Sequence, residues 1–237
     1  MARYCKSEKQ QKYINNFWGD FMKDIVKETI ENLKKNNMDA YYAEKKEDVL
    51  PIVKSLLKNG ETITSGGSVT LKECGVLEFV KNGDYNFLDR YKDGLTPEER
   101  EKIYRDAFFA DTYFMSSNAI IKDGVLYNVD GNANRVAALM YGPKSVIVIA
   151  GENKIVNNFD EAVKRVKEVA APLNTKRLNC ATYCKETGKC VNASVGADEP
   201  YAGCASDGRI CANYVISAYQ KHPGRIKVII VGENLGY

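Results

Sequence analysis

The hydrophobic positions of this chain follow two patterns, helical spacing and short, nearly continuous apolar runs. Helical spacing over residues 7–37, 49–57 and 159–171 predicts amphipathic helices, and the first of these is long. Nearly continuous apolar runs occupy residues 144–150 and 225–231. Such runs are typical of strands that are buried on both faces of a parallel sheet.

Shorter segments complete an alternation of helices and strands. Thr96 is followed by Pro97 and, three residues after it, by Glu99, which predicts a capped helix start. Further strands are predicted at 41–43, 61–64, 112–119 and 125–129, and further helices at 69–74 and 132–141. Residues 81–96 and 172–211 are expected to be irregular and loop-rich. The order predicts an α/β fold with a layered, mostly parallel sheet flanked by helices, and the turn at 122–124 predicts an antiparallel part.

Composition narrows the classes of protein to consider. Hydrophobic residues make up 44% of the 237 residues, and no repeat or linker interrupts them, so one domain over 1–237 is expected. A net charge of +3, dispersed along the chain, argues against nucleic-acid binding. No apolar run approaches the roughly 20 residues that span a bilayer, and the first residues lead into a polar stretch. A cytoplasmic protein without a membrane segment is therefore expected.

Five of the seven cysteines lie between residues 180 and 211, in a segment rich in Gly, Asn and Ser. A reducing cytosol disfavours disulfides, so clustered thiols point to metal binding or catalysis. Four thiolates suit tetrahedral zinc or a [4Fe–4S] cluster, although the spacing is that of neither a zinc ribbon nor a ferredoxin. The alternative is that these cysteines are small buried hydrophobic residues. His222 is the only histidine, which disfavours a Ser-His-Asp triad.

Two polar loops follow predicted strands and precede predicted helices. The first contains Gly66, Gly67 and Ser68, where glycines allow a ligand to approach the backbone and the helix start attracts an anion. The second loop supplies four further candidates for substrate binding, namely Asp130, Asn132, Asn134 and Arg135. Turns with a helix cap and a solvated arginine would explain the same residues. Loops at the strand ends of one sheet face a common crevice, so we expect a pocket for a small anionic metabolite.

Several segments together carry a family resemblance. They are residues 65–71, 110–111, 116–119, 128–137, 141–144, 187–190, 209–211 and 232–237. In these segments the chain resembles the lactate-utilisation (LUD) domain family. The resemblance implies a fold similar to that of the sugar-phosphate isomerase and CoA-transferase superfamily. It also implies a role in lactate oxidation beside iron–sulfur partner subunits.

The resemblance also implies roles for individual residues. Its cysteine-bearing branch matches this chain at four positions, Cys184, Cys190, Cys204 and Cys211. This chain departs from the branch at Tyr183, where proline is usual, and in the longer stretch 191–203; Cys180 is an alternative fourth ligand. Glu73 is a speculative base or nucleophile, because related superfamily members use a glutamate.

Two hypotheses of function follow. In the first, the protein is an enzyme or subunit of lactate or 2-hydroxy acid metabolism, with a cysteine-bound iron–sulfur cluster or metal. In the second, it is a non-catalytic binding or assembly protein with a structural zinc and a regulatory pocket for a small anion. The sequence leaves open whether the protein is an enzyme.

Overall fold

The computed structural model describes residues 22–194 and 198–237. Its larger sheet has six strands in the order β1-β10-β7-β4-β2-β3, and every neighbouring pair is parallel. These strands are β1 (Asp39–Ala43), β2 (Thr62–Ser65), β3 (Asn86–Leu88), β4 (Thr112–Met115), β7 (Ser145–Gly151) and β10 (Ile226–Val231). The prediction of an α/β fold with a layered, mostly parallel sheet is confirmed.

A second sheet has four strands in the order β8-β5-β6-β9. Its members are β5 (Ala119–Ile121), β6 (Val125–Asp130), β8 (Ile155–Val156) and β9 (Asn213–Ser217). Strand β6 pairs antiparallel with β5 and with β9, whereas β8 pairs parallel with β5. The predicted antiparallel hairpin therefore exists, but it belongs to this separate sheet and leaves the six-stranded sheet entirely parallel.

Helices cover the sheets and connect their strands. They are α1 (Asp24–Lys35), α2 (Val49–Leu56), α3 (Val69–Glu73), α4 (Val76–Asn82), α5 (Pro97–Asp106), α6 (Asn134–Met140), α7 (Phe159–Arg165), α8 (Ala171–Leu178) and α9 (Tyr183–Thr187). Thr96 caps α5 and forms the predicted capping box with Glu99. Among the described residues, none of these helices is both long and apolar enough to cross a membrane.

The apolar runs are explained by cores on both faces of the larger sheet. In β7, Val146 and Val148 face one core, while Ile147 and Ile149 face the other. All four side chains are completely buried. Successive side chains in a strand point to opposite faces, so a strand between two helical layers needs apolar residues at every position.

Three sequence predictions differ from the structure in detail. The predicted strand 112–119 is broken at residues 116–118, where the chain passes from β4 to β5. The predicted helix 159–171 continues through a π-helical turn (Val166–Ala170) and α8 to Leu178, so part of the expected loop region is helical. The irregular segment 81–96 contains β3. The long N-terminal helix is described only as α1, and residues 7–21 lie outside the described residues.

Candidate functional site

Polar loops converge at the carboxyl end of the larger sheet. Strands β2, β4 and β7 are neighbours there, with Ser65 beside Phe114 and Met115 beside Val148. The loops that follow these strands, together with the end of β6, line a cleft of about 380 Å³. Ligands of open α/β sheets bind outside the carboxyl ends of the strands, so this cleft is the candidate site.

Most residues predicted to bind a substrate meet in this cleft. Those that line it are Gly67, Ser68, Asp130, Asn132, Asn134 and Arg135. Gly66 lies behind them, where a Cβ atom would come within 2.9 Å of the Tyr113 hydroxyl and 3.1 Å of the Arg135 side chain. Ser68 ends the first loop as the cap of α3, because its hydroxyl accepts a hydrogen bond from the Leu71 amide at 3.2 Å. Whether the lining residues bind a substrate stays a prediction.

Arg135 joins the loop at residues 116–118, between β4 and β5, to the end of β6 through its guanidinium group. Its Nη1 donates to Asn128 Oδ1 at 2.6 Å and to the Ser116 carbonyl at 3.3 Å. Its Nη2 donates to Asn118 Oδ1 at 2.9 Å and to the Val129 carbonyl at 2.7 Å. The remaining nitrogen, Nε, lies 3.3 Å from Asp130 Oδ2. The hydrogen-bonding directions of the guanidinium are therefore occupied by protein acceptors, and Arg135 acts here as a brace for the loops.

Lys154 is a cleft residue that the sequence analysis missed. It ends a 3-10 turn, Glu152–Lys154, directly after β7, and only 2% of its surface is exposed. Its Nζ donates to Ser116 Oγ at 2.9 Å and to Thr70 Oγ1 at 3.0 Å. The one available signal was its place after a buried strand, where the carboxyl ends of the parallel strands meet.

The surroundings of Lys154 disfavour its charged form. Burial is the largest influence, followed by the positive charges of Arg165 and Arg135, and together they lower the pKa of Lys154 to about 7. The Glu73 carboxylate and the Cys74 thiol act in the opposite direction but more weakly. A lysine with this pKa exchanges its proton near neutral pH, as general bases and amine nucleophiles must.

The cleft as a whole carries an excess of positive charge. Its cationic lining residues are Arg90, Arg135, Lys154, Arg177 and Arg209, and its acidic ones are Asp130 and Asp207. Arg177 is exposed and its guanidinium donates to Asn174 Oδ1 at 2.7 Å. Five basic groups facing two carboxylates favour a small anion over a neutral or cationic ligand.

Glu73, the speculative catalytic group, lies outside the residues that line the cleft. It is exposed at the end of α3, and its Oε2 accepts a hydrogen bond from the Gly236 amide at 2.7 Å. A Cβ atom on Gly236 would lie 2.6 Å from Thr70 Oγ1 and 3.4 Å from Lys154 Nζ. Glu73 thus holds the C-terminal segment beside Lys154, and a catalytic role for it stays a prediction.

The cysteine-rich segment lies beside the cleft, and Cys211 lines it. The Cys184 thiol is buried and contacts the hydroxyls of Thr175 and Thr182 at 3.4 and 3.5 Å. Burial raises the pKa of Cys190, with smaller contributions from the nearby Cys211 and Cys184. Hydrogen bonds from Ser206 leave the pKa of Cys204 lowered although burial opposes them.

Among the described residues, these thiols do not form a preformed set of metal ligands. Within residues 22–194 and 198–237, no three His, Cys, Asp or Glu side chains are placed so that they could hold one ion. The described cysteines, including Cys180, are free thiols. The ligand set Cys184, Cys190, Cys204 and Cys211 therefore stays a prediction that these side-chain positions do not support.

The chain was compared with family models, curated proteins and solved structures. The family model described as LUD domain matches residues 26–231. The search of curated proteins gave no match. Among solved structures, the chain is similar to a DUF162 family protein from Deinococcus radiodurans, whose crystal structure was determined at 1.70 Å. The two are 16% identical, with a TM-score of 0.49, and the match covers 88% of this chain and 97% of that chain.

Proposed function

This chain belongs to the LUD domain family, and from that premise we propose that it binds a small carboxylate, a 2-hydroxy or 2-oxo acid such as lactate or pyruvate, in the cationic cleft. In this proposal it serves lactate or 2-hydroxy acid metabolism as an enzyme or as a subunit. The observation that carries the proposal is the excess of basic over acidic side chains in the cleft, among them the buried Lys154.

The residues of the cleft have different roles in the proposed binding. Arg135 and the loops that it braces form a fixed wall, because its donors are occupied within the protein. Arg177 lies exposed among the lining residues, where a guanidinium can pair with an incoming carboxylate. Lys154 and the Ser116 hydroxyl offer a proton donor and acceptor to the part of the ligand that enters deepest.

Calorimetric titration of the whole protein tests this function. We expect L-lactate and pyruvate to bind and uncharged lactamide not to bind, with affinity falling as salt increases because the charges are screened. Arg177→Met should weaken binding roughly tenfold, the effect of losing about 1.4 kcal/mol from one ion pair. Lys144→Met is the control, since Lys144 is exposed and lines a different groove. Equal binding of lactamide and lactate would contradict the proposal.

The cysteine-rich segment requires a separate test. Metal analysis of protein purified without oxygen decides between an iron–sulfur cluster, zinc and free thiols. Iron and sulfide in equal amounts would support the first hypothesis of function, an enzyme or subunit with a cysteine-bound cluster. Stoichiometric zinc in a colourless protein would support the alternative, a binding or assembly protein with a structural metal and a regulatory pocket.

A further inference from the structure

The environment of Lys154 is not explained by anion binding alone. A lysine that only attracts an anion serves best when it is permanently charged. Lys154 is instead buried to 98%, and within the described residues no carboxylate lies within ion-pair distance of its Nζ. Its hydrogen-bond partners are two hydroxyl groups, Ser116 Oγ and Thr70 Oγ1, which can donate to a neutral amine as readily as they accept from an ammonium.

The positively charged groups around Lys154 also favour its neutral form. Arg165 donates to the Asn118 and Asn153 carbonyls, and Arg135 is fixed by its acceptors, so both cations are held near the amine. Glu73 and Cys74 are the groups that act in favour of the ammonium, and their influence is smaller. A desolvated lysine beside other cations is the arrangement by which proteins produce a nucleophilic amine at neutral pH.

We infer that Lys154 is a covalent catalytic residue whose Nζ forms an imine with the carbonyl carbon of a small anionic ligand held in the cleft. The inference rests on the proposed binding of a small anion there and deepens it, because it narrows the substrate to a compound with an aldehyde or ketone group. Ser116 lies 2.9 Å from the amine, and both residues line the cleft, so a hydroxyl that can transfer a proton stands beside the amine.

The reaction needs no oxidant or reductant. The lone pair of neutral Nζ attacks the carbonyl carbon, and the carbonyl π electrons move to the oxygen, which takes a proton through the Ser116 hydroxyl. The resulting carbinolamine then loses its C–OH bond. The departing oxygen takes a second proton and leaves as water, while Nζ gives up its remaining proton as the C=N bond forms. One amine and one carbonyl thus become one imine and one water molecule.

Reductive trapping tests this inference on the whole protein. Pyruvate and cyanoborohydride are added near pH 8, where Lys154 is mostly neutral, and the modified lysine is located by peptide mass spectrometry. Cyanoborohydride delivers hydride to the C=N bond and fixes the ligand as a secondary amine. We expect the adduct at Lys154, its loss in Lys154→Met, and no adduct with L-lactate, which has no carbonyl group. A parallel reaction with dihydroxyacetone phosphate in place of pyruvate tests whether the anionic group of the ligand is a phosphate or a carboxylate.

Variants and calorimetric binding data distinguish a failure of the imine proposal from a failure of the proposed function. Ser116→Ala should slow trapping severalfold, and Ser55→Ala, an exposed serine on α2, should not change it. If pyruvate binds in the calorimeter but the adduct is absent, or is no greater at Lys154 than at the exposed Lys144, the imine is refuted while the proposed function stands. An adduct with the phosphate alone supports the imine and overturns the carboxylate assignment. If no anion binds, both proposals fail.

Discussion

At the scale of single residues, the cleft holds two cations whose contacts differ in kind. Arg135 has a protein acceptor in each direction in which its guanidinium can donate, including the Asp130 carboxylate. Among the described residues, Lys154 has two hydroxyl partners only, and burial lowers its pKa to about 7. Burying a charge is costly unless hydrogen bonds or an opposite charge compensate. Arg135 is compensated and stabilises the fold, whereas Lys154 is held at a cost that suits a chemical role.

The bracing role of Arg135 predicts a loss of stability when it is replaced. In Arg135→Met the largely buried Asp130 carboxylate and the acceptors at residues 116–118 and 128–129 lose this donor, so the free energy of unfolding should fall by about 3 kcal/mol. Arg177→Met, in the same cleft but exposed, should change it by less than about 0.5 kcal/mol. Urea denaturation measures both. Equal effects of the two substitutions would show that Arg135 does not brace the loops.

The lowered pKa of Lys154 predicts a specific dependence of stability on pH. Between about pH 7 and pH 10.5 the unfolded chain binds the lysine proton more tightly than the folded chain, so raising the pH favours folding. The slope from this one group has an upper limit of about 1.4 kcal/mol per pH unit. Below pH 7 the cost of burial is fully present and the slope disappears.

Subtracting the pH profile of Lys154→Met from that of the wild type isolates this contribution. We expect the difference in free energy of unfolding to change in favour of the wild type between pH 7 and pH 9, as measured by urea denaturation. The upper end of this window stays below the range in which the partly buried Tyr41, with a pKa raised to about 12, begins to titrate. A flat difference would mean that Lys154 keeps its ordinary pKa.

At the scale of elements, the sequence predicts the strands and helices whose residues carry a clear local hydrophobic pattern. The runs 144–150 and 225–231 are apolar at most positions because both faces of the larger sheet are buried, and they form β7 and β10. Strand β9 has partly exposed side chains, with Ile216 53% exposed, and follows a loop-rich segment, so no such pattern marked it. Lys154 was missed for a related reason. A Glu-Asn-Lys turn looks like solvent-exposed surface, and its burial arises only when the C-terminal segment and α3 pack over it.

The capping box of α5 offers a test at this scale. Thr96 accepts from the Glu99 amide at 3.2 Å, and Glu99 Oε2 accepts from the Thr96 amide at 2.8 Å. Thr96→Ala removes the side-chain acceptor, so the free energy of unfolding should fall by about 1 kcal/mol. Thr96→Ser retains the hydroxyl and is the matched control. A thermal melt in which the two variants coincide would argue against the cap.

At the scale of the whole molecule, the candidate site is a property of two sheets together. The loop after β2 and Lys154 come from the larger sheet, while Asp130 ends a strand of the smaller one. Sequence reasoning placed both glycine-containing loops in one crevice because strand ends of a sheet meet at one edge. It could not show that the second loop belongs to another sheet, since strand pairing is decided by contacts far apart in the chain.

The topology predicts where the fold is most resistant to opening. Strands β7 and β10 are central in the six-stranded sheet and pair on both sides, whereas β3 and β9 are edge strands. Hydrogen exchange followed by mass spectrometry should therefore show the slowest exchange in β7 and β10, approaching the rate set by global unfolding. Protection in β9 equal to that in β10 would mean that an unobserved partner covers the edge of the smaller sheet.

The three residues between β4 and β5, 116–118, limit how the chain can change in length at this point. The Met115 and Ile120 side chains both pack in the core under the larger sheet, while Ala119 and Ile121 pack in the core of the smaller one. Deleting or inserting a single residue at 116–118 would exchange these faces, because side chains alternate with a period of two. It would also displace the Ser116 hydroxyl and the Asn118 amide from their partners. Variation in chain length should therefore be selected against at this crossing.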